Sequence, residues 1–254
     1  FPRPDFNLAL HVGSNAPAGS IGYHLGYAMA NVDSVDIIIP GVGGHGAYPH
    51  TAIDPIVLSS QIVLALQTIV SRKINPLEPA VVTVGSIHGG LKHNIIPDEV
   101  KLQLTLRSYS DEVRDQTIQS IKRIVRGQAI AAGLPDDKMP KVILKDEYTP
   151  ALYNDPDFSS KVLGFIKDEI GLENVYEVPA VMGGEDFGRF GKQDPKIPSF
   201  LFWLGGTSKE DWKKFKRGDI NLPSNHSPFF APVPEPTLTT GVRAMTSSAI
   251  GLLQ

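Results

Sequence analysis

The chain of 254 residues contains no cysteine. That excludes disulfide frameworks, thiolate zinc sites, redox pairs and cysteine nucleophiles together, and leaves the compartment unassigned, since reducing and oxidising locations both accept a cysteine-free protein. Neither sign of charge dominates: 24 Lys and Arg against 27 Asp and Glu give −3. There is accordingly no broad attraction for nucleic acid or anionic lipid, and neither is expected as a partner. No uninterrupted apolar run approaches the ~18 residues of a membrane span, so no membrane partner is expected either. The opening Phe1-Pro2-Arg3-Pro4 is neither an initiator methionine nor a signal segment, and reads as a cut within a longer chain. Internal repeats and low-complexity tracts are lacking too. What is present is a globular chain, one large domain or two modest ones at ~100 to 200 residues each, with length enough for a core that needs no disulfide or structural metal.

Hydrophobic periodicity separates the middle of the chain from its flanks. "VDIIIP" (35–40) reads as a strand. Asp54 is then an N-cap with Pro55 in the first helical position, and an apolar helix runs through Ile56, Val57, Val63, Leu66, Ile69 and Val70. "AVVTVGSI" (80–87) is β-branched, and "EVKLQLTLR" (99–107) alternates strictly, with Arg107 on its polar face. Ser110 caps a second helix with Asp111 and Glu112 at its positive end, Gly133 and Pro135 stop it, and "KVILKD" (141–146) closes the set. The order β-α-β-β-α-β predicts a ferredoxin-like unit with two helices on one sheet face.

The flanks predict a second, α/β domain. "NLALHV" is a strand from residue 7, Asp155 and Pro156 start a helix that Gly171 ends, and a last helix begins near Pro236. "SFLFWLGG" (199–206) is a continuous apolar run, as in mainly parallel sheets buried on both faces. The expected organisation is an α/β fold in which residues 1–31 and 148–254 form one domain, interrupted by a ferredoxin-like insert at 32–147.

Several local patterns carry chemistry, each beside a plainer reading. "GVGGHG" (41–46) spells a dinucleotide fingerprint, but Pro49, Pro55 and the helical "QIVLALQTIV" stand where its helix and second strand should be, so the glycines read instead as a sharp turn beside His45. His11 ends an apolar strand, where α/β domains place ligands, and His226 sits in "SNHSPFF" between Pro223 and Pro228; both are candidate metal ligands or ordinary imidazoles. "GGLKHNIIPDE" (89–99) exceeds a common hairpin loop, and Asn94 is its best polar candidate unless it merely closes an Asx-turn. "GGEDF" (183–187) pairs Glu185 with Asp186, for a pocket or for a helix dipole. Lys213, Lys214, Lys216 and Arg217 are diluted by Glu210, Asp211 and Asp219 and read as a solvated face, and Asn225-His226-Ser227 is a formal glycosylation sequon.

Taken in order, "LALHVGSNAPAGSIGY", "GVGGHGAYPHTAIDPIVLSSQIVLALQTIVSRK", "AVVTVGSIHGGLKHNIIPDEV", "TLRSYS", "YNDP", "GGEDFGRF" and "NHSPFF" resemble the later part of the two-metal amidohydrolase, aminoacylase and carboxypeptidase family, nearest its hippurate hydrolase and auxin-conjugate hydrolase branch. The resemblance implies a lid domain, often used for homodimerisation, above a catalytic domain with two divalent ions, Zn or Mn. It makes His11 and His226 metal ligands, His45 the lid histidine that reaches the reacting carbonyl, Asn94 and Arg107 the groups holding the substrate carboxylate or backbone, and Glu185 a pocket residue. The implied substrate is a small N-acyl amino acid or dipeptide. The family's general-base glutamate and remaining ligands would precede Phe1, which leaves a non-catalytic binding or dimerisation module as the alternative. Neighbouring strands would be missing as well, so "LFWL" is expected to expose apolar surface.

Overall fold

The computed structural model describes residues 2–254; Phe1 lies outside it. In chain order the strands are β1 (Asn7–Pro17), β2 (Ile21–Tyr23), β3 (Gly26–Met29), β4 (Asn31–Pro40), β5 (Gly44–His45), β6 (Ala80–Gly89), β7 (Ile95–Ile96), β8 (Glu99–Ser108), β9 (Lys141–Leu144), β10 (Leu152–Asn154), β11 (Val175–Glu177) and β12 (Ser199–Thr207). The helices are α1 (Pro55–Arg72), α2 (Asp111–Ala131), α3 (Pro156–Ile170), α4 (Gly188–Gly191), α5 (Lys209–Arg217) and α6 (Pro234–Leu253). They fall into two compact units. Unit 1 runs to Ala28, resumes over Leu152–Val181 and ends with Asp186–Gln254; unit 2 comprises Met29–Ala151 and Met182–Glu185.

Unit 2 has a sheet in the order β6-β8-β4-β9, antiparallel throughout. Strict alternation on β8 sends Val100, Leu102, Leu104 and Leu106 into the core, where they meet Val35, Ile37 and Ile39 of β4 and the buried stripes of α1 and α2. Asp54 caps α1 by accepting from the Ile56 and Val57 amides, and Ser110 caps α2 from Val113, as their sequence positions predict. Over its 18 residues α1 has a mean hydropathy of 1.3, enough by length and composition alone to cross a membrane. This qualifies the expectation from uninterrupted runs. Leu58, Ile62, Leu66 and Ile69 nevertheless bury one side of the helix in the protein core. Near the start of α2, Arg114 forks onto the buried Asp33 carboxylate with two contacts of 2.7 Å, and its guanidinium lies 4.1 Å over the Tyr148 ring. That pairing raises the Arg114 pKa further above its usual value.

Unit 1 holds a sheet in the order β1-β12-β2-β11, with β1–β12 and β2–β11 parallel and β12–β2 antiparallel. β12 is central, and Phe200, Leu201, Phe202 and Leu204 are buried; α3 contributes Phe158, Val162 and Ile166 to this core and α6 contributes Ala244. The expectation that "LFWL" exposes apolar surface is therefore corrected, because β1 and β2 flank it on both edges. Exposed apolar side chains of this unit include Leu238, Val242, Ile250 and Leu253 along α6.

Candidate active site

In unit 1, β1 carries His11 opposite Trp203 of β12. Sequence reading placed His11 at a strand end, whereas the strand continues with a shifted register to Pro17 and leaves His11 mid-strand and half-buried. Its Nδ1 is 2.8 Å from the Val12 carbonyl oxygen. A carbonyl only accepts, so Nδ1 carries the hydrogen and, in the neutral ring, Nε2 the lone pair, the tautomer that ligation through Nε2 requires. His226 is exposed in the stretch between α5 and α6. The neighbouring Asn225 ties that stretch to β1: its Oδ1 accepts from the Ser14 amide at 2.9 Å and its Nδ2 donates to the Val12 carbonyl at 3.4 Å. One carbonyl thus orients the His11 ring and anchors the residue next to His226. Sequence reading noticed Asn225 only as part of a sequon; its place beside His226 in a proline-bracketed loop was the available signal.

In unit 2, β5 and β7 form a short ladder with His45 opposite Ile95, and the Gly46 amide donates to the Asn94 carbonyl at 2.8 Å. His45 and Asn94, far apart in sequence, are thereby brought together. The Ala47 amide donates to His45 Nδ1 at 3.1 Å. Nδ1 must then hold a lone pair, so the neutral ring carries its hydrogen on Nε2 and is a donor there. Among the described residues the Asn94 side chain closes no Asx-turn. The chain turns beside His45 as expected, the Tyr48 amide donating to the His45 carbonyl at 2.8 Å across Gly46 and Ala47, and none of the glycines there has positive φ, so Gly41 and Gly43 serve close packing. A Cβ on Gly41 would lie 2.5 Å from Pro55 Cδ, and one on Gly43 2.7 Å from Asp98 Oδ1. Beside this ladder is an open groove of about 590 Å³ lined by Pro49, Asp54, Ile56, Lys92, His93 and Pro97.

Arg107, half-buried on the polar face of β8, bonds Thr105 Oγ1 through Nε at 3.3 Å and the Met182 carbonyl through Nη1 at 3.1 Å. The segment Met182–Glu185 belongs to unit 2, which places Glu185, half-buried, in the same unit as Arg107. On that sheet face Asp36 lies 2.9 Å from both Lys101 and Lys145. Chiefly Lys101, then Lys145, hold its pKa down, from 3.8 to about 2.

Among the described residues no group of three or more His, Cys, Asp or Glu side chains is arranged to hold a metal ion. A catalytic zinc takes three protein ligands, so His11 and His226 alone do not fit a two-metal centre.

Residues 24–132 match the family described as the peptidase dimerisation domain, M20_dimer. That stretch is therefore similar to an M20 peptidase dimerisation domain. Likeness to known proteins extends beyond those residues. The chain is 38% identical over 207 residues to N-acetyldiaminopimelate deacetylase of Bacillus subtilis, covering 82% of this chain and 53% of the relative. To thermostable carboxypeptidase 2 of Saccharolobus solfataricus it is 34% identical, covering 97% of this chain and 58% of the relative. A solved dinuclear metal binding peptidase of the M20 family from Bacillus subtilis superposes with a TM-score of 0.67 at 24% identity, over 98% of this chain and 57% of that one, a likeness of fold. The chain spans about half the length of the curated relatives it matches.

Proposed function

We propose that the complete protein is a metal-dependent amidohydrolase that cleaves the amide bond of an N-acyl amino acid or small peptide conjugate, in the manner of the hippurate and auxin-conjugate hydrolases whose motifs it resembles. The observation that carries this reading is the double use of the Val12 carbonyl, which sets the ligating tautomer of His11 and fixes the residue beside His226. A deacetylase and a carboxypeptidase among the relatives support an amide substrate. The dinuclear metal binding peptidase supports two metal ions, taken as divalent Zn or Mn from the resemblance, for which His11 and His226 supply part of the ligand set.

The roles follow from side-chain chemistry. His45, with Nδ1 occupied by the Ala47 amide, offers Nε2–H to the oxygen that gains charge when the amide is attacked, where one such donor is worth about 3 kcal/mol. Arg107 receives the carboxylate of the amino-acid part as a fork, Asn94 supplies an amide to the substrate backbone, and Glu185 lines the pocket. Residues 1–31 with 148–254 act as the catalytic portion and 32–147 as a lid. Unit 2 also mediates a homodimer: Ile56, Val57, Leu64 and Val70 expose apolar surface on α1, and β6 is an edge strand with Ile87 exposed.

The test is metal content and turnover in the complete protein. His11→Ala and His226→Ala should each lower bound metal measured by plasma mass spectrometry, and a chelator should abolish release of acetate from an N-acetyl amino acid. Hydrolysis that survives chelation refutes the proposal. The second reading, a non-catalytic binding or dimerisation module, is favoured by the lack of a three-donor cluster among the described residues. It predicts substrate binding without turnover when metal is supplied.

A further inference from the structure

A guanidinium selects a carboxylate by geometry only if its plane is held still before the ligand arrives, because an arginine side chain carries about 2 kcal/mol of rotamer entropy. We infer that Thr105 is a positioning residue for Arg107, and that the backbone of Met182–Gly184 completes the clamp. This rests on the reading of Arg107 as the carboxylate-binding residue. Thr105 and Arg107 are two residues apart on β8 and share a face of the sheet. The Thr105 hydroxyl accepts from Nε at 3.3 Å, and the Met182 carbonyl, 75 positions away in sequence, accepts from Nη1 at 3.1 Å. Two anchored nitrogens fix a planar group; the hydrogens of Nη2 and the second hydrogen of Nη1 remain for a ligand carboxylate.

The carbonyl at 182 is itself held. The Ala30 amide donates to the Gly183 carbonyl at 2.9 Å, one residue along. Gly184 then approaches so closely that a Cβ there would stand 2.3 Å from Val32 Cγ2 and 3.6 Å from Arg107 Nη1. Val32 pairs with Arg107 across the β4–β8 ladder, so the glycine, the valine and the arginine form one packed contact. Gly184 of "GGEDF" is thus explained by the clamp, since it has no space for a side chain.

The experiment has two arms. In the first, side-chain ¹⁵N relaxation on this chain follows the Arg107 Nε–H, identified by its loss in Arg107→Lys. We expect an order parameter near that of rigid backbone, about 0.85, falling below about 0.6 in Thr105→Val and recovering in Thr105→Ser, which restores the hydroxyl. Unchanged order in Thr105→Val overturns the inference. In the second arm the complete protein is assayed with N-acetylglycine and its methyl ester. Thr105→Val should raise KM for the acid about fivefold to tenfold at constant kcat, leave the ester unaffected and be rescued by Thr105→Ser. If Arg107→Ala leaves the preference for acid over ester intact, the carboxylate reading of Arg107 fails while the spectroscopic arm still decides the clamp. If Arg107→Ala removes the preference and Thr105→Val does not, the inference alone fails.

Discussion

Removing the Arg114 guanidinium by Arg114→Met leaves the Asp33 carboxylate, 1% exposed, without its partner inside unit 2. The two contacts of 2.7 Å use both carboxylate oxygens, a bidentate pair. Breaking a buried pair on one side costs about 3–5 kcal/mol, because a desolvated charge is left behind rather than because the pair itself is strongly stabilising. Loss of the guanidinium from its position 4.1 Å over Tyr148 adds about 0.5–1 kcal/mol. The Asp115 contact of Arg114, with Asp115 71% exposed, adds almost nothing. The expected total is about 5 kcal/mol. Replacing both partners, Asp33→Leu with Arg114→Met, should recover most of it, since no buried charge then remains. Urea unfolding followed by far-UV circular dichroism measures these losses. Both tryptophans, Trp203 and Trp212, lie in unit 1, so tryptophan fluorescence separates a local effect in unit 2 from a global one. A single variant that costs under about 1 kcal/mol, or a double variant that costs as much as the single one, would refute the reasoning.

Two further outcomes are expected. The Asp36 pKa is depressed to about 2, so its ion pairs contribute stability that is complete above the unfolded carboxylate value near 4 and disappears as pH falls toward 2. With Lys101 and Lys145 partly exposed, solvent screening keeps the loss to about 1 kcal/mol; it should vanish in Asp36→Asn, which unfolding midpoints at pH 3 and pH 6 will show. Gly205→Ala should unfold unit 1 or cost more than about 3 kcal/mol, because a Cβ there would lie 2.0 Å from the Pro17 carbonyl oxygen, a backbone atom that cannot rotate away. A thermal melt within about 2 °C of the parent would show that this contact relaxes.

Short-range signals carried the helix starts. Asp54, Ser110 and Asp155 are N-caps in the structure because capping needs only an acceptor, an amide two or three residues on and the right backbone angle. The alternation of β8 fixed its buried face for the same reason: side chains on a strand alternate whatever surrounds it. The site was less legible. His11, His45, Asn94 and Arg107 were marked by residue type and place in a loop or strand, whereas the tautomers of the two histidines depend on carbonyl and amide partners that folding supplies. Asn225 was signalled only by its place beside His226, and Thr105 not at all, since each acts through a bond to another candidate or to its strand.

By itself, then, the sequence determined the local periodicities, the caps, the β-α-β-β-α-β order and the pattern that resembles the two-metal hydrolases. Tertiary structure alone decided that Leu201, Phe202 and Leu204 of "LFWL" are buried, because β12 is paired on both edges and α3 and α6 pack against its sheet, while Trp203 stays half-buried. It also decided that Gly41 and Gly43 of "GVGGHG" allow close approach while Gly46 enters the turn beside His45, and that Met182 lends its carbonyl to an arginine 75 residues away. The division has one physical cause: periodicity and capping are properties of neighbours in the chain, while edge pairing, steric exclusion and long-range hydrogen bonds belong to groups that meet only when the chain is folded.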